Sequence, residues 1–360
     1  MPARALLVVG ASFSLFVAAL AACSSFTASD TEPTADANTG TDATAISPAD
    51  AGADAATDPC PDGPLGLYVI GGAVQTEDGG STEAETMLRA PIRCDGSLGG
   101  WVVYRRMPRG MQYPAVGVLG DRLVIAGGFS DLPKALVSTI YTFDHGPDGG
   151  LSDYTPRDAT GLTPRWRSAF AVAAGELVLL GGRDINNNVV SRVETLQLDG
   201  DTPIVKARAE MDQQRERFAA ASVGDRIVVQ GDPGGIAGAV VSGDGDVTGW
   251  KTLSSAPNFD GLALVDGTTV YFVGGYSDSK AVSIGTPTTA GDYSIVPGAR
   301  LDEDIAAAAA VTSGGRFYIV SGSLGRRVVS GTFSTSGLVN LHDETTALPE
   351  ARLGHVAVVF

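Results

Sequence analysis

The chain has 360 residues, enough for one large or two ordinary domains. Hydrophobic residues at 44% exclude wholesale disorder, and 47 glycines against 5 methionines point to short strands and turns rather than helices. A formal net charge of −16 excludes a nucleic-acid partner, which needs a basic face.

The chain opens "MPARALLVVGASFSLFVAALAACSS", one positive charge at Arg4 followed by an apolar run from Ala5 to Ala22 and then Cys23. About 18 apolar residues can just span a bilayer. No basic stop-transfer group follows, however, and the small residues before Cys23 read as a cleavage site. "LAAC" resembles the lipobox of bacterial lipoproteins. That resemblance implies a signal peptide over residues 1–22 and fatty acylation, such as palmitate, of Cys23 as the new N-terminus. Two or more acyl chains hold a protein on a membrane stably where one does not. Ser24 stands where an aspartate would favour the inner membrane, so the expected location is the outer membrane, periplasmic or surface-exposed.

Residues 23–59 are built of Ala, Thr, Asp, Ser and Pro, as in "TDATAISPADAGADAATDP". Seven acids (Asp30, Glu32, Asp36, Asp42, Asp50, Asp54, Asp58) and no Lys or Arg leave a segment too polar to bury a core. It is expected to be an extended tether. Residues 60–360 then carry 24 basic and 34 acidic residues, so the globular part is acidic too.

A phrase repeats through that part: "LYVIGGAVQ", "LVIAGGFSD", "LVLLGGRDI", "IVVQGDPGG", "VYFVGGYSD" and "FYIVSGSLG". The first doublet positions are 71, 127, 181, 231, 274 and 321, with separations of 56, 54, 50, 43 and 47 residues. A second apolar run precedes nearly every phrase, joined through a Gly turn such as Gly120-Asp121 or Gly224-Asp225. A variable loop, a third strand such as "VSTIYTFD" and a fourth near Trp101 or Trp250 complete each unit. The alanine run 305–315 suits a helix by propensity, but its place in the repeat assigns it to a first strand. Four short antiparallel strands per unit make a propeller blade.

The period, the Gly-Gly doublets, Tyr141 in a third strand and the Arg352-x-x-His355 ending resemble the Kelch repeat over residues 61–360. Gly231-Asp232 and Ser321-Gly322 depart from that pattern, and most repeats lack the Tyr. The resemblance implies an all-β, six-bladed Kelch-like propeller. Its one incomplete unit is split between the chain ends, so the C-terminal strand is expected to pair beside the N-terminal one. The doublets are expected to turn the chain where blades crowd together.

With Cys23 acylated, Cys60 and Cys94 remain in a compartment where disulfides persist. Antiparallel pairing brings their strand ends together, so a Cys60–Cys94 bond is expected, with two free thiols as the alternative. No cofactor or metal is expected: the three histidines His145, His342 and His355 have no ligand spacing, and "GDGDVTG" reads as a turn. No nucleophile elbow, phosphate loop or zinc-protease motif occurs.

Arginines recur near the starts of first strands: Arg109, Arg165, Arg167, Arg215, Arg217, Arg300 and Arg352. Arg183 and Arg326 follow glycine doublets and should open on the same face. Such a mouth suits a carboxylate, which the guanidinium fork matches. The other reading pairs these arginines with acids or carbonyls of the adjoining blade. The expected function is a non-enzymatic binding module for an envelope or extracellular protein or glycan. The alternative is an acidic-sugar enzyme, since periplasmic sialic acid mutarotases are similar Kelch propellers.

Overall fold

The computed structural model describes residues 65–360 apart from 76–79, 132–133, 147–149, 159, 233–234, 256–257 and 289–291. The leader, Cys23, the tether and Cys60 lie outside the described residues. The described chain is all-β, with one 3-10 turn at Gly322–Leu324 and no α-helix.

Six antiparallel four-stranded sheets follow one another. The second comprises Ala115–Leu119, Arg122–Ala126, Thr139–Asp144 and Thr155–Asp158, and the third Ala169–Ala173, Glu176–Leu180, Val193–Asp199 and Thr202–Arg208. The fourth comprises Glu216–Val223, Arg226–Asp232, Gly235–Val241 and Val247–Ser254, and the fifth Leu262–Asp266, Thr269–Val273, Val282–Pro287 and Tyr293–Pro297. The sixth comprises Ala309–Ser313, Arg316–Val320, Val328–Ser334 and Gly337–Asp343. The first draws on both ends of the chain: Gly66–Ile70, Thr86–Pro91 and Val102–Arg106 are joined by Val356–Val359. Leu67 pairs with Val359 and Ile70 with Val356, and Gly66 and Phe360 exchange two backbone hydrogen bonds of 2.9 and 3.0 Å.

The apolar pattern explains this arrangement. Second strands are continuous apolar runs because successive side chains point to opposite faces and both faces are covered. In the first sheet Tyr68 and Ile70 pack against the second sheet, while Leu67 and Val69 pack against the sixth. In the third, Leu177 and Leu179 meet the second sheet, and Val178 and Leu180 meet the fourth. The fourth packs on the fifth and the fifth on the sixth in the same way. Each such side chain contributes about 1.5–3 kcal/mol by leaving water. First strands lie side by side in chain order, and that of the sixth sheet lies beside Val356–Val359. This all-β array of four-stranded sheets fits a propeller.

The doublets turn the chain as expected in four repeats. Gly181 and Gly182 have φ of 54° and 96°, and a Cβ on Gly181 would sit 2.5 Å from the Arg215 carbonyl oxygen. The second glycine donates its amide to the lead-in of the next sheet. Gly72 bonds the Met111 carbonyl (2.8 Å), Gly128 that of Arg165 (3.1 Å), Gly182 that of Arg215 (2.7 Å) and Gly275 that of Ile305 (2.7 Å). In the sixth turn Ser321 takes the place of the first glycine at φ 57°, and Gly322 follows at φ 64°. The buried Ser321 hydroxyl accepts from the Arg352 amide (2.7 Å) and lies 3.1 Å from the Arg352 carbonyl. The fourth repeat corrects the sequence expectation. Its second strand runs on through Gly231 to Asp232, and Gly231, at an ordinary φ, stays in the ladder paired with Gly235 instead of turning.

The alanine run divides. Ala309–Ser313 forms the strand, while Ile305–Ala308 leads into it without helix. Two additions were not legible in the repeat. Ala73–Gln75 and Ser81–Glu83 join Arg352–Leu353 in a three-stranded sheet, and Phe129–Asp131 pairs with Lys134–Leu136.

Replacing Gly181 by Ala should lower unfolding stability by about 2–4 kcal/mol, since a positive φ is joined to a backbone clash. Gly224→Ala, also at positive φ but facing open space, should lose only about 1–2 kcal/mol. Urea denaturation compares them, and equal losses would remove the crowding argument.

Candidate axial mouth

Each lead-in contributes a triplet at equivalent places: Met111-Gln112-Tyr113, Arg165-Trp166-Arg167, Arg215-Glu216-Arg217, Asn258-Phe259-Asp260, Ile305-Ala306-Ala307 and Arg352-Leu353-Gly354. The first residue of every triplet is buried, at 0–5% exposure. The third always has positive φ, between 51° and 64°. In non-glycine residues such a conformation is uncommon and costs about 1–2 kcal/mol. Backbone bonds link these third residues into a collar. Tyr113 donates to Gly354 (2.7 Å), Arg217 to Arg167 (3.1 Å), Asp260 to Arg217 (2.7 Å) and Ala307 to Asp260 (2.9 Å).

The collar surrounds a cavity of about 100 Å³ to which all six triplets contribute. It opens on a channel of about 210 Å³ lined largely by alanines and other first-strand residues, among them Ala169, Ala219 and Ala309. Small side chains are required here because six strands converge.

Chemistry collects on one half of the mouth. The Arg167 guanidinium lies 4.2 Å from the Trp166 ring centroid and 5.5 Å from that of Tyr113. Arg217 lies 5.1 Å from Phe259 and 5.4 Å from Tyr276. Trp166 also packs on Phe129 at 5.2 Å, and Phe259 on Tyr276 at 5.5 Å. Glu216 takes Arg183 through Nε and Nη2 and Arg167 at 3.4 Å, while Arg217 pairs with Asp260. Beyond these acids neither the Arg167 nor the Arg217 guanidinium has a hydrogen-bond partner among the described residues. On the opposite half Ala307 adds only a methyl group, and the Tyr113 ring covers Gly354, 2.8 Å from where its Cβ would be.

The two mouth carboxyls are pushed apart. Burial raises the pKa of Asp260 above the usual carboxylate range, and Arg217 and Arg167 only partly oppose it. Burial acts the same way on Glu216, but its two arginines prevail and hold it low. Burial also raises the Tyr113 phenol.

The nine sequence-derived arginines therefore separate. Arg167, Arg183 and Arg217 gather at the mouth. Arg165, Arg215 and Arg352 occupy first triplet positions, bonded within the sheets they open rather than to an adjoining one. Arg165 meets Glu194 at 2.5 Å and the Leu179 carbonyl at 3.1 Å. Arg352 reaches the Gly71 and Thr86 carbonyls at 3.1 and 2.7 Å and Glu350 at 2.6 Å. Among the described residues Arg215 reaches only the Gly235 carbonyl (3.1 Å) and Asp212 (3.6 Å), because the place of Glu194 falls to Ala237. Arg300 forms an exposed two-pronged pair with Asp278 at 2.7 Å. Arg326 bonds the Leu348 carbonyl at 2.6 Å. Arg109 precedes its triplet by two residues and has neither a hydrogen bond nor an ion pair among the described residues. Tyr113, Trp166, Glu216, Phe259, Asp260 and Tyr276 were missed. Aligning the triplets rather than the doublets would have exposed all but Tyr276.

Other chemistry is sparse. Cys94 lies in an exposed turn after Thr86–Pro91, and its expected partner Cys60 is outside the described residues. No cluster of three or more metal-ligating side chains occurs among the described residues. His145 packs edge-on against Phe360, and His342 touches Ser330. His355 is buried with Nε2 3.0 Å from the Val320 carbonyl, and burial drives its pKa down to about 4.

No family model and no curated protein sequence matches the chain. Among solved structures, one described as "Structure of YjhT" is similar, with a TM-score of 0.51 and 12% identity over 64% of this chain and 81% of that one. At that identity the likeness speaks for the fold alone.

His355 makes a pH prediction. Its folded pKa lies below the unfolded value near 6.5, so the unfolded chain binds the proton more readily. The stability it protects is complete above about pH 6.5 and is lost as pH falls toward 4, by about 3 kcal/mol. Denaturation midpoints between pH 7 and 4 should show that fall, and His355→Gln should flatten it. An unchanged slope in the variant would assign the acid sensitivity elsewhere.

Proposed function

We propose that this chain is a lipid-anchored extracytoplasmic binding module. In this reading the six sheets are the blades of a Kelch-like propeller, closed by the C-terminal strand lying beside the N-terminal one. Acylated Cys23 holds it at the outer membrane, residues 23–59 tether it, and Cys60–Cys94 fastens its N-terminal edge. The pairing of Leu67–Ile70 with Val356–Val359 and the packing of every sheet on two others support closure. A disulfide closing a loop of this size would contribute roughly 3–4 kcal/mol in the chain-entropy model.

The mouth would engage a protein or glycan partner through negative charge. The observation that carries this is Arg167, Arg183 and Arg217 clustered on an otherwise acidic body, the first and last lining one opening and Arg183 paired with Glu216. Two of these cations are backed by aromatic rings and keep donors unspent. Guanidinium groups held this way match carboxylates at little further ordering cost.

A second reading, an enzyme acting on an acidic sugar, is favoured by one feature. Asp260 is pushed toward its protonated form while Glu216 is held ionised, and such divergent pairs supply acid and base.

Mass spectrometry of the mature chain should find acylated Cys23 at the N-terminus and Cys60 linked to Cys94. An intact leader would remove the anchor, and two free thiols the bond. The full chain in detergent, presented to envelope extracts, should retain a partner that Arg167→Gln or Arg217→Gln releases. Anomer exchange followed by NMR separates the readings. Acceleration of an acidic sugar, lost in Asp260→Asn, together with no retained partner, would replace the module by the enzyme.

A further inference from the structure

We infer that the outer edge of the first sheet, the strand Val102–Arg106, takes up an extended acidic segment of a partner protein as a fifth strand. This surface shares no residue with the mouth and does not depend on it.

Each of the six sheets ends outward in a strand paired on one side only among the described residues. Such an edge offers a row of unpaired amides and carbonyls, and proteins commonly blunt it. Five of the six are blunted. Thr155–Asp158 contains Pro156, Thr202–Arg208 contains Pro203 and Lys206, and Tyr293–Pro297 ends in proline. Val247–Ser254 carries Lys251 and has Gly249 at φ 70°, and Gly337–Asp343 has Asn340 at φ 56°. Val102–Arg106 has neither proline nor lysine, and its ladder to Thr86–Pro91 slips only at Tyr104. Ahead of that slip Val102 and Val103 are 51% and 57% exposed. Successive side chains of a strand point to opposite faces, so the two valines straddle the edge. Val103 stands opposite Leu88, on the face turned to the sixth sheet. Val102 stands opposite Arg89, which lies over Tyr68 on the face turned to the second. An occupant that covers both valines must run along the strand rather than rest on one face.

Charge selects the occupant. The outer strand pair of the first sheet, residues 86–106, carries Arg89, Arg93, Arg105 and Arg106 against Asp95 alone. In each of the other five sheets the outer pair carries more acids than bases. The Arg106 side chain is 74% exposed and meets Glu85 at 3.9 Å. Arg89 lies over Tyr68 and Tyr104 at 5.7 and 5.8 Å, and Arg105 over Tyr104 at 5.2 Å. These guanidinium groups are held along one face of the edge, where the carboxylates of alternate residues on an added strand would pass. Main-chain bonds then give affinity and the alternating side chains give specificity. A second copy of this chain would set arginines against arginines. A flat anionic membrane would meet the edge end-on and leave Arg89 and Arg105, lying back on the tyrosines, largely unused.

The experiment uses the full chain in detergent and the peptide EVTVDVTE, with KVTVKVTK and a backbone N-methylated EVTVDVTE as controls. EVTVDVTE should bind, and both controls at least tenfold more weakly. Its binding should slow hydrogen exchange of amides within Val102–Arg106. Val103→Asp and Arg106→Glu should each weaken it at least fivefold without moving the thermal midpoint. Equal binding of KVTVKVTK would overturn the acidic partner, and equal binding of the N-methylated peptide would overturn strand addition. Binding lost in Arg217→Gln but kept in Val103→Asp would overturn the inference by placing the site at the mouth. No binding of EVTVDVTE at millimolar concentration would overturn it as well. Slow exchange of the same amides in the free monomer would overturn it by showing the edge already covered. Protection that grows with protein concentration would give the edge to a second copy. Protection that appears only in phosphatidylglycerol nanodiscs would give it to the membrane.

Discussion

One hydrogen bond organises the molecule: the amide of a turning residue at the end of a second strand, given to the carbonyl of the next lead-in. It recurs from Gly72, Gly128, Gly182 and Gly275, whereas at the sixth turn the direction reverses and the Arg352 amide donates to the Ser321 hydroxyl. A four-stranded sheet with two apolar faces is not stable alone, and a partner on each side is the only way to bury both. The bond sets how closely that partner approaches. It forms only if the donor carries no side chain at a positive φ, which is why glycine recurs there.

The same link determines where chemistry can sit. Once the carbonyl of a triplet's first residue is fixed, its side chain turns into the sheet and the third residue arrives at the axis. Six third residues then form a collar whose non-glycine members hold a left-handed conformation. Strain of this kind persists only where surrounding structure over-determines it. Here the packed sheets on both sides do so. The side chains at the collar are thereby relieved of structural duty, and Tyr113, Arg167, Arg217 and Asp260 face one another across an opening.

Charge is distributed by the same logic. Arg165 and Arg352 are buried with a carboxylate and backbone carbonyls, so their charge is spent inside. Arg215 lacks such a set, a consequence of the irregular fourth repeat. The mouth arginines differ in being only partly covered. Their acids hold them without exhausting their donors, and the aromatic faces behind them limit the positions they can take. Three arginines against two acids leave the opening one positive charge in excess on a body of net negative charge.

By itself the sequence determined the all-β class, the repeat of four strands, the place of four doublet turns and the two-ended first sheet. All of these are local patterns: apolar alternation, glycine turns and a fixed spacing. It also brought forward the arginines but could not sort them. Arg165 and Arg167 are two residues apart and alike in composition, yet one is a buried brace and the other lines the mouth. That difference depends on which way a side chain leaves a strained backbone, and the repeat spacing does not encode it. The added sheet of Ala73–Gln75, Ser81–Glu83 and Arg352–Leu353, the aromatic walls and the opposed carboxyls Glu216 and Asp260 were settled only in three dimensions. The Tyr113–Trp166 edge, the Glu216–Asp260 approach and the Arg352–Leu353 strand bring together separate repeats, and the rest depends on loops whose course the repeat spacing does not encode.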